Sequence, residues 1–157
     1  MPLIVFNYLV DPLQCFRKTS WYKPLYDPNE RVQSPCLVRT HDYDTLIIGT
    51  SHVENFDPVY VDEVFDTKTL RAAMAASTLY EQNKLMNLAF ETGKVKNIIW
   101  GLDTNILFDE QDRVRDDIVP FPYHIYKPSI YNNLLFLLDP YQYKHYVKML
   151  VHKFTGV

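Results

Sequence analysis

Leu46, Ile47 and Ile48 form an unbroken apolar run that closes on Gly49 and is followed at once by Thr50, Ser51 and His52. A run without polar alternation reads as a strand covered on both faces, and such strands belong to parallel sheets held between helices. Sheets of that kind bind ligands outside the carboxyl ends of their strands. The stretch Asp44–His52 therefore predicts a buried strand that carries a serine hydroxyl and an imidazole to a sheet rim.

The residues that follow repeat the alternation. Asp57 before Pro58 is a helix start, a capping carboxylate followed by a residue pre-set for the first helical position, and it predicts a short helix over 58–65. Thr67–Met74 reads as a second strand, although its alanines carry little β preference. Thr78 and Glu81 have capping-box spacing, Leu79, Met86, Ala89 and Phe90 recur at helical intervals, and Gly93 suits a left-handed end; together they predict a helix over 79–92. Val95–Asp103 then repeats the first strand's design, an apolar run closing on a glycine and a polar residue. Strand, helix, strand, helix, strand implies right-handed crossovers. The expected class is α/β: a three-layer, flavodoxin-like parallel sheet of about three core strands with a helical carboxyl extension.

That extension comprises a helix capped by Ser129 and running to Leu138, and another opening at Asp139-Pro140 and running to Phe154. Residues 104–128 show charges, prolines and no period, which predicts a surface loop. Before the first strand, prolines at 12, 24, 28 and 35 interrupt every pattern, so residues 11–42 read as an extended arm packing through Phe16, Trp21, Tyr22, Leu25 and Tyr26. The chain thus divides into an amino arm, 1–42, and an α/β region, 43–157. At 157 residues it is long enough for one domain that buries most of its apolar surface.

A net charge of −3, with no stripe of Lys and Arg, gives no electrostatic reason to expect nucleic acid. Cys15 and Cys36 lack the spacing of a metal site or a disulfide framework; a single bridge between them remains open. His145 and His152 lie seven apart on one helical face without a third ligand, His41 has no suggestive partner, and His124 sits in a proline-rich loop. No metal and no cofactor are expected. Pro2–Val10 is apolar but about half the length of a membrane-spanning helix.

In a parallel sheet, Gly49-Thr50-Ser51, Gly101-Leu102-Asp103 and the Ala75–Thr78 turn would share one rim. A serine hydroxyl accepts an acyl group when a base removes its proton, and amides ahead of a helix can hold the oxyanion that forms. Each residue also has a plainer reading: Ser51 as a cap on the Gly49 turn, His52 as a surface or capping histidine, Asp103 as a structural cap.

Gly49-Thr50-Ser51, Met74–Gln82 and Ile98–Asp103 resemble the first three blocks of the SGNH (GDSL-like) hydrolase superfamily, above all its bacterial cell-envelope branch of esterases and O-acyltransferases. The resemblance spans about residues 40–105 and implies roles residue by residue. Ser51 corresponds to the nucleophile. Its amide and that of position 76 correspond to oxyanion donors, and position 103 to the third donor, so that Asp103 is expected as an oxyanion or substrate contact. The chain departs from the pattern with Ala76 in place of glycine and with Asp103 in place of asparagine, where an ionised carboxylate accepts hydrogen bonds rather than donating them. Nothing after Asp139 has the form of the family's closing Asp-His block. The resemblance therefore implies a partial SGNH-like domain, with an acylated saccharide or other envelope substrate, an extracytoplasmic setting, and Met1–Val10 as the end of a signal anchor. The alternative is a non-catalytic binding module, or a homo-oligomer paired through the open edges of a three-stranded sheet.

Overall fold

The computed structural model describes residues 2–11, 13–18, 29–108, 110, 112–127, 129–138, 147 and 151. Three strands, β1 (Thr45–Gly49), β2 (Thr69–Ala73) and β3 (Asn97–Gly101), form a parallel sheet in the order β2-β1-β3. Every residue of β1 is buried, as its central place demands. Leu46 and Ile48 face one layer and Ile47 the other, because side chains alternate across a strand. Burying each of these three side chains contributes about 1.5–3 kcal/mol. In the register, Gly49 lies opposite both Ala73 and Gly101, so the three strands end level.

The helices between strands start where local chemistry starts them. In α3 (Pro58–Phe65) the Asp57 carboxylate accepts from the Val59 amide at 2.9 Å. In α4 (Leu79–Glu91) both halves of the capping box form, Glu81 N–H to Thr78 Oγ1 at 3.3 Å and Thr78 N–H to Glu81 Oε2 at 3.2 Å. Gly93, just beyond, takes a left-handed φ of +67°. Val61 of α3 covers Ile47 on one face, while Leu85, Met86, Leu88 and Ala89 of α4 cover Leu46 and Ile48 on the other. The result is the three-layer α/β arrangement that the alternation of elements implies.

The amino arm is not extended throughout. Residues Glu30–Thr40 form a helix, α2, with Pro35 inside it and residues 31–38 buried. An interior proline costs a helix about 3 kcal/mol. Against that cost, Val32, Cys36 and Val38 join the main core, and Ser34 Oγ donates to the Ala73 carbonyl of β2 at 2.8 Å. A disulfide joins Cys36 to Cys15. Trp21, Tyr22, Leu25 and Tyr26 lie outside the described residues.

The opening apolar stretch forms a helix, α1 (Pro2–Val10), and its buried Asn7 donates from Nδ2 to the Leu137 carbonyl at 2.7 Å. No helix among the described residues is long and apolar enough to cross a membrane. The segment expected as loop contains a 3₁₀ turn, Thr104–Phe108, and a short helix, α5 (Tyr123–Tyr126). Ile125 and Tyr126 reach the core there, and four residues are too few to show a period. In α6 (Ile130–Leu138), Ser129 Oγ accepts from the Asn132 amide at 3.0 Å. The helix expected after Asp139 lies outside the described residues, as do His145 and His152.

Candidate functional site

Because the strands end level, the segments after them share a rim. Beyond β1 the chain enters a 3₁₀ turn, Ser51–Asn55, pinned by the buried side chain of Val53. Glycines at the strand ends make room for it. A Cβ on Gly49 would lie 2.8 Å from Val53 Cγ1 and 2.9 Å from the Gly101 carbonyl oxygen, and one on Gly101 would overlap Val53 Cγ1 outright. The two glycines thus let the turn seat against the sheet, and that seating fixes Ser51 and His52.

A cleft of about 280 Å³ opens on this rim, and Ser51, His52, Ala76, Asp103 and Arg115 are among its lining residues. Ser51 is exposed, and among the described residues neither its hydroxyl nor its amide makes a hydrogen bond. Beside it a chain of polar contacts runs from β1 to the end of β3. Thr50 Oγ1 donates to Asp103 Oδ2, and His52 Nδ1 lies 2.5 Å from Asp103 Oδ1. The Thr50 hydroxyl, and after it His52, hold the Asp103 carboxyl below the usual carboxylate range. Asp103 is therefore an ionised acceptor with both oxygens engaged. A carboxylate facing Nδ1 fixes the proton of a neutral imidazole on that nitrogen and leaves Nε2 as the acceptor.

The second wall is the turn between β2 and α4. Ala76 has φ +51°, left-handed backbone in which glycine is unstrained and alanine is not. Its neighbours are tied down: the Ala75 amide donates to Glu30 Oε2 at 2.6 Å and the Ser77 amide to the Met74 carbonyl at 3.0 Å. The Ala76 amide makes no hydrogen bond among the described residues. What holds the turn is Arg31 of α2. Its guanidinium donates to the carbonyls of Ala75 at 3.1 Å and Ala76 at 3.2 Å, and it pairs with Glu81 through Nε–Oε1 at 3.2 Å and Nη2–Oε2 at 3.0 Å. Glu81 also accepts from the Arg115 amide at 3.0 Å. Both partners are buried, at 5% and 0% exposure.

Further out, buried Gln82 donates to Ser77 Oγ at 2.9 Å and accepts from Trp100 Nε1 at 2.7 Å, which locks the turn to β3. The structure thus gathers Ser51, His52, Ala76 and Asp103 at one cleft. It places His124 elsewhere, 6.3 Å from the Phe136 ring, and His41 at the end of α2. Among the described residues no group of three His, Cys, Asp or Glu side chains could hold a metal ion.

Arg31 is the site residue that sequence reading missed. Glu81 is legible as half of a capping box, but nothing local marks its second partner fifty residues earlier, in a helix that Pro35 disguises.

Fold and rim together define a three-layer α/β protein with a serine, a carboxylate–imidazole pair and a strained turn at the carboxyl end of its sheet. Comparison with protein-family models, with curated proteins and with solved structures finds no match for the chain.

Proposed function

We propose that the chain carries the nucleophile and oxyanion site of an SGNH-like serine esterase or O-acyltransferase acting on acyl groups of envelope or polysaccharide material. Ser51 is the acyl acceptor, and the amides of Ser51 and Ala76 hold the oxyanion. The observation that carries the reading is the pairing, in one cleft, of an unbonded serine hydroxyl with two unbonded amides on neighbouring segments. Preorganised donors of this kind are the largest single contribution to acyl transfer, each worth about 10²–10³ in rate. The left-handed Ala76 adds support, since the family has glycine at that position and the conformation here is one that favours glycine.

Reaction of the full chain with a fluorophosphonate, followed by intact mass, tests the reading. One adduct is expected on the wild type and none on Ser51→Ala. Labelling that persists in Ser51→Ala, or none in either protein, removes the nucleophile and leaves the second reading, a non-catalytic binding or pairing module. That second reading is favoured by the outer edge of β3, which no strand covers among the described residues.

A further inference from the structure

Resting on the acyl-transfer reading, we infer that His52, oriented by Asp103, is the base that serves Ser51, so that nucleophile and proton acceptor are neighbours in the chain. One departure from the SGNH pattern, an aspartate where an asparagine donor is expected, then has an explanation: the carboxylate at 103 orients an imidazole instead of holding an oxyanion.

The geometry is specific. Asp103 Oδ1 faces His52 Nδ1 at 2.5 Å, and the Thr50 hydroxyl takes the other carboxylate oxygen, so the carboxylate cannot turn away. His52 Nε2 makes no hydrogen bond among the described residues, and the ring is 80% exposed beside the cleft. His41 and His124 do not line the cleft, which leaves His52 as its imidazole among the described residues. Ser51 Oγ and Nε2 are not hydrogen-bonded to each other, so the proton crosses through one water, the longer of the two routes open to a general base.

In the first step the Ser51 proton passes through that water to Nε2 while Oγ bonds to the carbonyl carbon of an ester. The carbonyl π pair moves onto oxygen, where the amides of Ser51 and Ala76 receive it. Collapse breaks the bond to the leaving alcohol, which takes the proton back from Nε2. An acceptor hydroxyl, or water, then attacks the acyl carbon and loses its proton along the same path to Nε2; collapse breaks the bond between that carbon and Ser51 Oγ, and Oγ takes the proton back. Asp103 stays ionised throughout and stabilises the imidazolium.

The test compares fluorophosphonate labelling rates of the full chain as wild type, His52→Gln, Asp103→Asn and Ser51→Ala over a range of pH, since imidazole is a side chain whose charge changes with pH. All three substituted positions lie at the rim rather than in the core, so folding survives. The expected result is a wild-type rate that rises across this range and a loss of about 10²-fold or more in His52→Gln and Asp103→Asn, the usual worth of a positioned base. The pH dependence should also vanish in His52→Gln. The opposite sign at 103 overturns the inference: if position 103 is an oxyanion donor, Asp103→Asn restores one and labels faster than wild type. Labelling that depends on Ser51 but tolerates His52→Gln overturns the inference and leaves the nucleophile standing. No labelling of the wild type at any pH overturns both.

Discussion

Two carboxylates hold nitrogen partners near the same rim, Glu81 a guanidinium and Asp103 an imidazole, and they are set up for opposite purposes. Glu81 and Arg31 are buried, at 0% and 5% exposure, with four hydrogen bonds converging on the Glu81 oxygens from Arg31, Thr78 and Arg115. Asp103 and His52 stand at 21% and 80% exposure, with one side of the ring free. A buried pair surrounded by donors cannot turn without disturbing the backbone it holds. An exposed imidazole can. The first pair therefore sets the shape of the Ala75–Thr78 turn, and the second is the one to which the proposed reading gives the proton transfer.

The comparison breaks if Arg31 can be removed cheaply. Taking one partner from a buried pair leaves an uncompensated charge and costs about 3–5 kcal/mol. Arg31→Met is expected to lower unfolding free energy by about that amount in urea, the largest effect of any change considered, and to abolish Ser51-dependent labelling because the Ala75 and Ala76 carbonyls lose their donor. Adding Glu81→Gln to Arg31→Met removes the stranded carboxylate and should recover a good part of the stability without recovering the labelling. His52→Gln, by contrast, should leave the urea midpoint where it is. A midpoint for His52→Gln as low as that of Arg31→Met would make the two pairs equivalent and sink the division of labour.

A smaller effect sharpens the comparison from the other wall. Gly101→Ala would drive its Cβ into Val53 Cγ1, and overpacking of this kind costs about 1–3 kcal/mol. Thermal unfolding should show the loss, and Gly101→Ala combined with Val53→Ala should be less than additive, because the second change removes the atom in the way. Additive losses would mean that Val53 does not seat the Ser51–Asn55 turn.

These residues also show what could be read from sequence and why. β1, α3 and α4 were legible because their signals are local: an apolar run of three, a carboxylate before a proline, a threonine three residues from a glutamate. Parallel order alone puts the carboxyl ends of the strands on one rim, so the shared rim was legible too, while the level ends are a matter of register. α2 was not, because its helix rests on distant partners, the Ala73 carbonyl thirty-nine residues from Ser34 and Glu81 fifty residues from Arg31, while its one local signal, Pro35, points the wrong way. The Asp103–His52 pair spans fifty-one residues. As separate letters they read as a weak oxyanion donor and a surface histidine; only the register of β1 on β3 puts one against the other.

The smallest effect expected is a gain. Ala76 holds a φ of +51° because Arg31 and Glu30 grip the residues around it, and the strain of a left-handed alanine is about 1–2 kcal/mol. Glycine removes that strain but has more freedom to lose on folding, which offsets roughly 0.5–1 kcal/mol of the relief. Ala76→Gly is therefore expected to stabilise the chain by a few tenths of a kcal/mol up to about 1 kcal/mol in urea, with Ser51 labelling retained, since the donor at this position is a backbone amide. The reverse sign would carry the most information. If Ala76→Gly loosened the fold and slowed labelling together, the Ala76 methyl rather than its amide would be what the turn contributes, and the oxyanion site would rest on Ser51 alone.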